Sequence, residues 1–214
     1  MMALTHGAVS VALVALATPA LPDTVALPLL VVAFLGGILP DLDIVADHRK
    51  TLHYPVGYSV LAFLLAVGYV VAPSGTLLLA AVLVGSAAVH TCSDVLAGSV
   101  EAEPWNPTTE RAVYNHALGA WHRPRRYVRY SGAPEDWLLA LVAAATAIRS
   151  PASGSTVEAA LFWLVAVAGG YTLVRRRFSA LSARFPSRLA AVLPAVTVEE
   201  TESGATTVAI RFRS

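Results

Sequence analysis

"LPDLDIVADHRKTLHYP" (residues 39–55) separates two long apolar stretches with five groups that titrate or ligate: Asp41, Asp43, Asp47, His48 and His53. A connection in a greasy chain needs only to be polar. It has no need of two aspartates two residues apart, followed by two histidines five apart. The flanks decide the reading. Residues 25–40 and 55–73 are almost unbroken apolar sequence, and a bilayer core about 30 Å thick is crossed by roughly 17–25 such residues in a helix. The stretch is therefore expected to join two membrane crossings and to hold ligand-type side chains at one membrane face.

Composition supports that reading. Hydrophobic residues make up 56% of the 214 and charged residues 14%, whereas soluble domains carry about a quarter charged residues. The net charge of +1 and the placement of the arginines beside apolar segments give no argument for nucleic acid. A single cysteine, Cys92, excludes a disulfide framework and a multi-cysteine zinc site. The apolar run Gly7–Leu21 has the look of a signal peptide but lacks its basic leader. With His6 at its mouth, it is expected to be a retained transmembrane helix.

Further spans are expected at about 5–21, 75–95, 134–149 and 157–174. The fold class predicted is an all-α integral membrane protein, a bundle of about 5–6 transmembrane helices. Four regions follow: a four-helix membrane core (1–95), a loop rich in aromatic and basic residues (96–136), a helical hairpin (137–178), and a tail (179–214) whose alternating "VTVEETESGATTVAIRF" predicts a small β-hairpin. Counting crossings from the N-terminus brings His6, Asp41, Asp43, His48, His53, His90 and Asp94 to one face. Fourteen of the fifteen Lys and Arg residues fall on that same side, and only Arg149 on the other. The positive-inside rule makes that side cytoplasmic, which predicts a multi-pass cell-membrane protein with its site and C-terminus in the cytoplasm.

The motifs suggest metal chemistry. "HTCSD" sets His90 and Asp94 four apart, on one helical face, where imidazole and carboxylate can share an ion or the carboxylate can orient the imidazole. Asp41 and Asp43, two apart in a turn, are expected on one side, where two carboxylates ionise comfortably only beside a cation. His48, His53 and His6 complete the set. Mixed histidine and aspartate ligands fit Zn²⁺ best, with Mn²⁺ or Fe²⁺ compatible. Arg49 is expected either to anchor the membrane face or to grip an anionic substrate bidentately. His116 and His122 lie in the aromatic loop, and Glu101, Glu103, Glu110 and Asp136 are further candidates for the shell or for solvent.

"TH" (residues 5–6), "GGILPDLD" (36–43), "HR" (48–49) with His53 four residues beyond Arg49, and "HTCSD" (90–94), in that order over about residues 1–95, resemble the YdjM-type family. Its members are predicted membrane-bound metal-dependent hydrolases. The resemblance implies that His6, Asp41, Asp43, His48, His53, His90 and Asp94 form the metal set. The pattern is similar, more distantly, to zinc-dependent phospholipase C and nuclease enzymes, in which histidines and aspartates bind a cluster of zinc ions. The chain departs from the family at Leu52-His53-Tyr54, where the family has Thr-His-Ser.

The function expected is a membrane-embedded metal-dependent hydrolase acting on a lipid or phosphate ester at the cytoplasmic interface. Asp43 or Asp94 would serve as general base, and Arg49 or the "RPRR" arginines (residues 123–126) would meet the anion. The alternative is a non-enzymatic membrane protein, an ion or proton path or a metal-stabilised scaffold. Against a path, the ionisable residues gather at one face and no inverted repeat is apparent.

Overall fold

The computed structural model describes residues 1–18, 23–100, 105–151, 154–184, 195–200 and 206–211. Two compact units divide at Leu173/Val174. The first is mostly helical. Its helices are α1 (Ala3–Ala17), α2 (Asp23–Ile38), α3 (Pro55–Val71), α4 (Gly75–Ser93), α5 (Pro134–Ile148) and the larger part of α6 (Ser155–Arg184). Short 3-10 helices follow α2 (Leu39–Val45) and α4 (Asp94–Leu96), and strands β1 (Val113–Asn115) and β2 (Ala120–His122) form an antiparallel pair. In the second unit, β3 (Ala195–Glu200) pairs antiparallel with β4 (Thr206–Arg211) in the register Ala195 opposite Arg211.

Among the described residues, three segments are long and apolar enough to cross a membrane: Val25–Ile44, Gly75–Leu96 and Ser155–Arg175. α1 and α3 are apolar but shorter, at 15 and 17 residues, or about 22–26 Å at 1.5 Å per residue. Phe63, Leu64, Val70 and Val71 of α3 are exposed. So continuous an apolar face marks a surface for a membrane or a protein partner.

Local signals place the helix ends. Pro55 and Pro134 begin α3 and α5, where the missing N–H costs nothing. Ser74 caps α4, its Oγ accepting the Leu77 N–H at 3.2 Å. Neighbouring helices α1–α2, α2–α4, α3–α4 and α1–α5 pack against each other through small residues, as membrane helices do where lipid gives no hydrophobic drive. A Cβ on Gly36 would collide with the Leu83 carbonyl of α4, and one on Gly37 would lie 2.7 Å from Ser10 Oγ. These two glycines let α2 touch α4 and α1 with its backbone. Further along, Ala8, Ala12 and Ala15 of α1 pack with Ala143, Ala144 and Ala147 of α5.

The antiparallel alternation brings the start of α1, the end of α2, the start of α3 and the end of α4 to one end of the bundle. Residues 96–100 and 105–133 close over that end. The backbone N–H groups of Arg125, Arg126 and Val128 donate to the carbonyls of Val95, Ala97 and Leu96, and that of Tyr114 donates to the Arg49 carbonyl at 3.0 Å.

Candidate metal centre

Four ligand atoms meet at the closed end of the bundle. Asp41, His53, His90 and Asp94 each turn one nitrogen or oxygen into a group whose members all lie within 4.8 Å of one another. His53 Nε2 is 3.2 Å from Asp94 Oδ2 and 3.7 Å from Asp41 Oδ1. His90 Nε2 is 3.4 Å from each of those same oxygens. Ligands bound at about 2.0–2.1 Å to a common tetrahedral ion sit roughly 3.3–3.4 Å apart. The four His–Asp distances are close to that spacing, so the group could hold one metal ion.

The imidazole hydrogens sharpen this. His90 Nδ1 lies 2.6 Å from the Gly37 carbonyl, which only accepts, so the proton sits on Nδ1. His53 Nδ1 faces Asp43 Oδ2 at 2.9 Å, and an ionised carboxylate also only accepts. In the neutral rings both Nε2 lone pairs therefore point at the carboxylates of Asp41 and Asp94. Acceptors facing acceptors repel, and either a cation among them or a second proton on the rings relieves it. His90 Nε2 is buried and makes no hydrogen bond.

Local backbone explains who reaches the centre. The 3-10 helix Leu39–Val45 turns about 120° per residue, so residues two apart diverge. The sequence suggested that Asp41 and Asp43 share a side, but they flank His53 at its two nitrogens instead. Asp41 enters the ligand group. Asp43 stands behind, holding His53, His48 Nδ1 at 2.8 Å and the Leu52 N–H at 3.2 Å. Such outer carboxylates fix the orientation and raise the basicity of ligating imidazoles. His90 and Asp94 share a face across the end of α4, as their spacing predicts.

The remaining candidates lie around the four. His6 stacks on His90 with ring centroids 3.7 Å apart, and its Nε2 meets Asp94 Oδ1, the oxygen turned away from the group, at 3.0 Å. His48 is partly exposed, its Nε2 4.0 Å from Asp41 Oδ1. Arg49 is buried, not turned toward solvent. It donates to the Gly98 carbonyl at 2.7 Å and stands 3.5 Å from Asp94 Oδ1, with a left-handed φ of 61° that a non-glycine residue adopts only under local constraint. Its guanidinium offsets part of the charge of Asp94 and ties the loop to the site. Met1 N also approaches Asp94 Oδ1, at 3.0 Å.

His116 and His122 stay outside. His116 stacks on Tyr54 and donates to the Lys50 carbonyl, and His122 meets Asn115. Glu110 pairs with Arg126 at the surface, and buried Asp136 accepts from the Met2 and Gly132 N–H groups. Glu101 and Glu103 lie outside the described residues. Sequence reasoning passed over the Gly37 carbonyl that orients His90, although "GG" (residues 36–37), two residues before "PDLD", was a usable sign of close backbone approach.

No family model, curated protein or solved structure significantly matches the chain, so the geometry stands without a relative. What it defines, among the described residues, is a mostly helical chain with three membrane-length helices and a buried Asp/His cluster that could hold a metal ion.

Proposed function

We propose that the protein is a multi-pass membrane hydrolase that uses one divalent cation, Zn²⁺ by the chemistry of its donors, to cleave a lipid-borne phosphoester at the cytoplasmic face. In this reading α1, α3 and α5 also cross the bilayer, giving six crossings, and the arginine bias sets the site and C-terminus inside. The carrying observation is the pair of imidazole lone pairs aimed into the Asp41–Asp94 oxygens at 3.2–3.7 Å. The likeness of the ordered motifs to the YdjM-type family agrees with it.

A cation bound there supplies an acidified water and a polarised phosphoryl oxygen. The chain's own groups do the rest. Asp43 and the Gly37 carbonyl hold the two imidazoles in their ligating tautomers. Arg49 steadies Asp94 and is a positioning residue, which leaves the arginines of "RPRR" to meet the anionic substrate. Hydrolysis requires a water to lose a proton as its oxygen bonds phosphorus, and the departing alcohol oxygen to gain one as the ester P–O bond breaks. Asp43 and Asp94 are fully engaged. His48, backed by Asp43 and opening toward solvent beside Asp41, is the group able to pass that proton.

The test is metal content of the purified wild-type chain and of its His90→Ala and Asp41→Ala variants, followed by a panel of phosphodiesters and phospholipids. Stoichiometric metal in wild type, lost from both variants, with turnover of a panel member, is expected. A second reading has a specific basis. The same short His–Asp distances suit imidazolium–carboxylate pairs in a metal-free scaffold, and a folded wild type without metal would select it.

A further inference from the structure

α1, α2 and α6 line a groove of about 430 Å³, within the roughly 300–1,000 Å³ of ligand pockets. Leu4 and Val11 of α1, Val31 and Phe34 of α2, and Ala160 and Leu164 of α6 line it. Thr156 and the indole of Trp163 carry its only polar side-chain atoms, so nothing in it can recognise a charge. Two of its walls belong to membrane-length segments, Val25–Ile44 and Ser155–Arg175, so the medium that reaches it is hydrocarbon. Its lining reaches the start of α1 at Leu4, two residues before His6 and on the other side of that helix. Phe34, a groove wall, packs on Gly7 so closely that a Cβ there would lie 2.5 Å from Phe34 Cε2.

We infer that this groove seats one acyl chain of a membrane lipid, the tail of the molecule whose headgroup phosphoester the metal centre cleaves. The second half rests on the hydrolase reading; the seat itself does not. A tail of leucine-like apolarity gains little by merely leaving the bilayer, so the groove selects by shape, holding the lipid long enough for its head to engage.

The whole chain is placed in phosphatidylcholine nanodiscs with a trace of a phosphatidylcholine carrying a mid-chain diazirine, irradiated, and its labelled peptides mapped. Label enriched several-fold on Val31, Ala160 and Leu164 over the exposed face of α3 at Phe63 and Leu64 is expected. Ala160→Trp, a change at an exposed helix position, should abolish the enrichment while metal content stays. Equal labelling of both faces, or enrichment untouched by Ala160→Trp, overturns the seat. The two readings fail separately. Enriched label on a chain that binds no metal retains the seat and removes the hydrolase. Even label on a metal-loaded chain that cleaves a short soluble phosphodiester does the reverse.

Discussion

Two groups of histidines occupy the same end of this protein in opposite states. His116 and His122, on the β1–β2 pair, have ordinary partners: a backbone carbonyl, a stacked tyrosine and an asparagine amide. Each is at home without help. His53 and His90 are completely buried, each commits one nitrogen to an acceptor, and each points the other at carboxylate oxygens. Residue type does not separate the groups. What separates them is burial against carboxylates: His90 Nε2 is buried without a hydrogen bond and His53 Nε2 meets a carboxylate oxygen, Asp94 Oδ2 at 3.2 Å, and that is the argument for a cation.

The comparison can be broken most decisively at His90. His90→Ala removes a ligand and should abolish stoichiometric metal, a loss beyond the roughly 10–100-fold that outer residues cost; retention of metal, read by elemental analysis, would place the ion elsewhere. Arg49→Ala comes next. Removing one partner of a buried charge pair costs about 3–5 kcal/mol, so the thermal midpoint should fall sharply and the segment 96–136 become protease-sensitive. Arg49→Lys, which lacks the fork that serves two acceptors, should recover only part. Asp43→Asn keeps an acceptor near His53 but loses the charge, and metal affinity should fall about 10–100-fold in a chelator competition. His116→Ala marks the other side, changing stability by about 0.5 kcal/mol or less and leaving metal content unchanged.

Much of the site was legible because alternation is legible. Apolar stretches of countable length put the ends of α2 and α4 and the starts of α1 and α3 together, and the spacing of His90 and Asp94 settled their shared face. What lay beyond reach was set by geometry that no local pattern encodes. Whether "PDLD" runs as a strand-like turn or a 3-10 helix decides which aspartate joins the ligand group, and the sequence suits either. Arg49 turns inward only because the carbonyls of Gly98 and Ala112 arrive there from residues some fifty or more positions along the chain. The Gly37 carbonyl was hidden for a simpler reason: every residue has one, and only the packing of α2 on α4 makes this one orient a histidine.

X-ray absorption at the metal edge of the purified protein tests the cation most directly. The account predicts a four-coordinate shell of nitrogen and oxygen at about 2.0–2.1 Å with the outer-shell scattering of two imidazoles, falling to one in His53→Ala. A wild-type chain that folds without metal, or one whose metal shows no imidazole scattering, would contradict it.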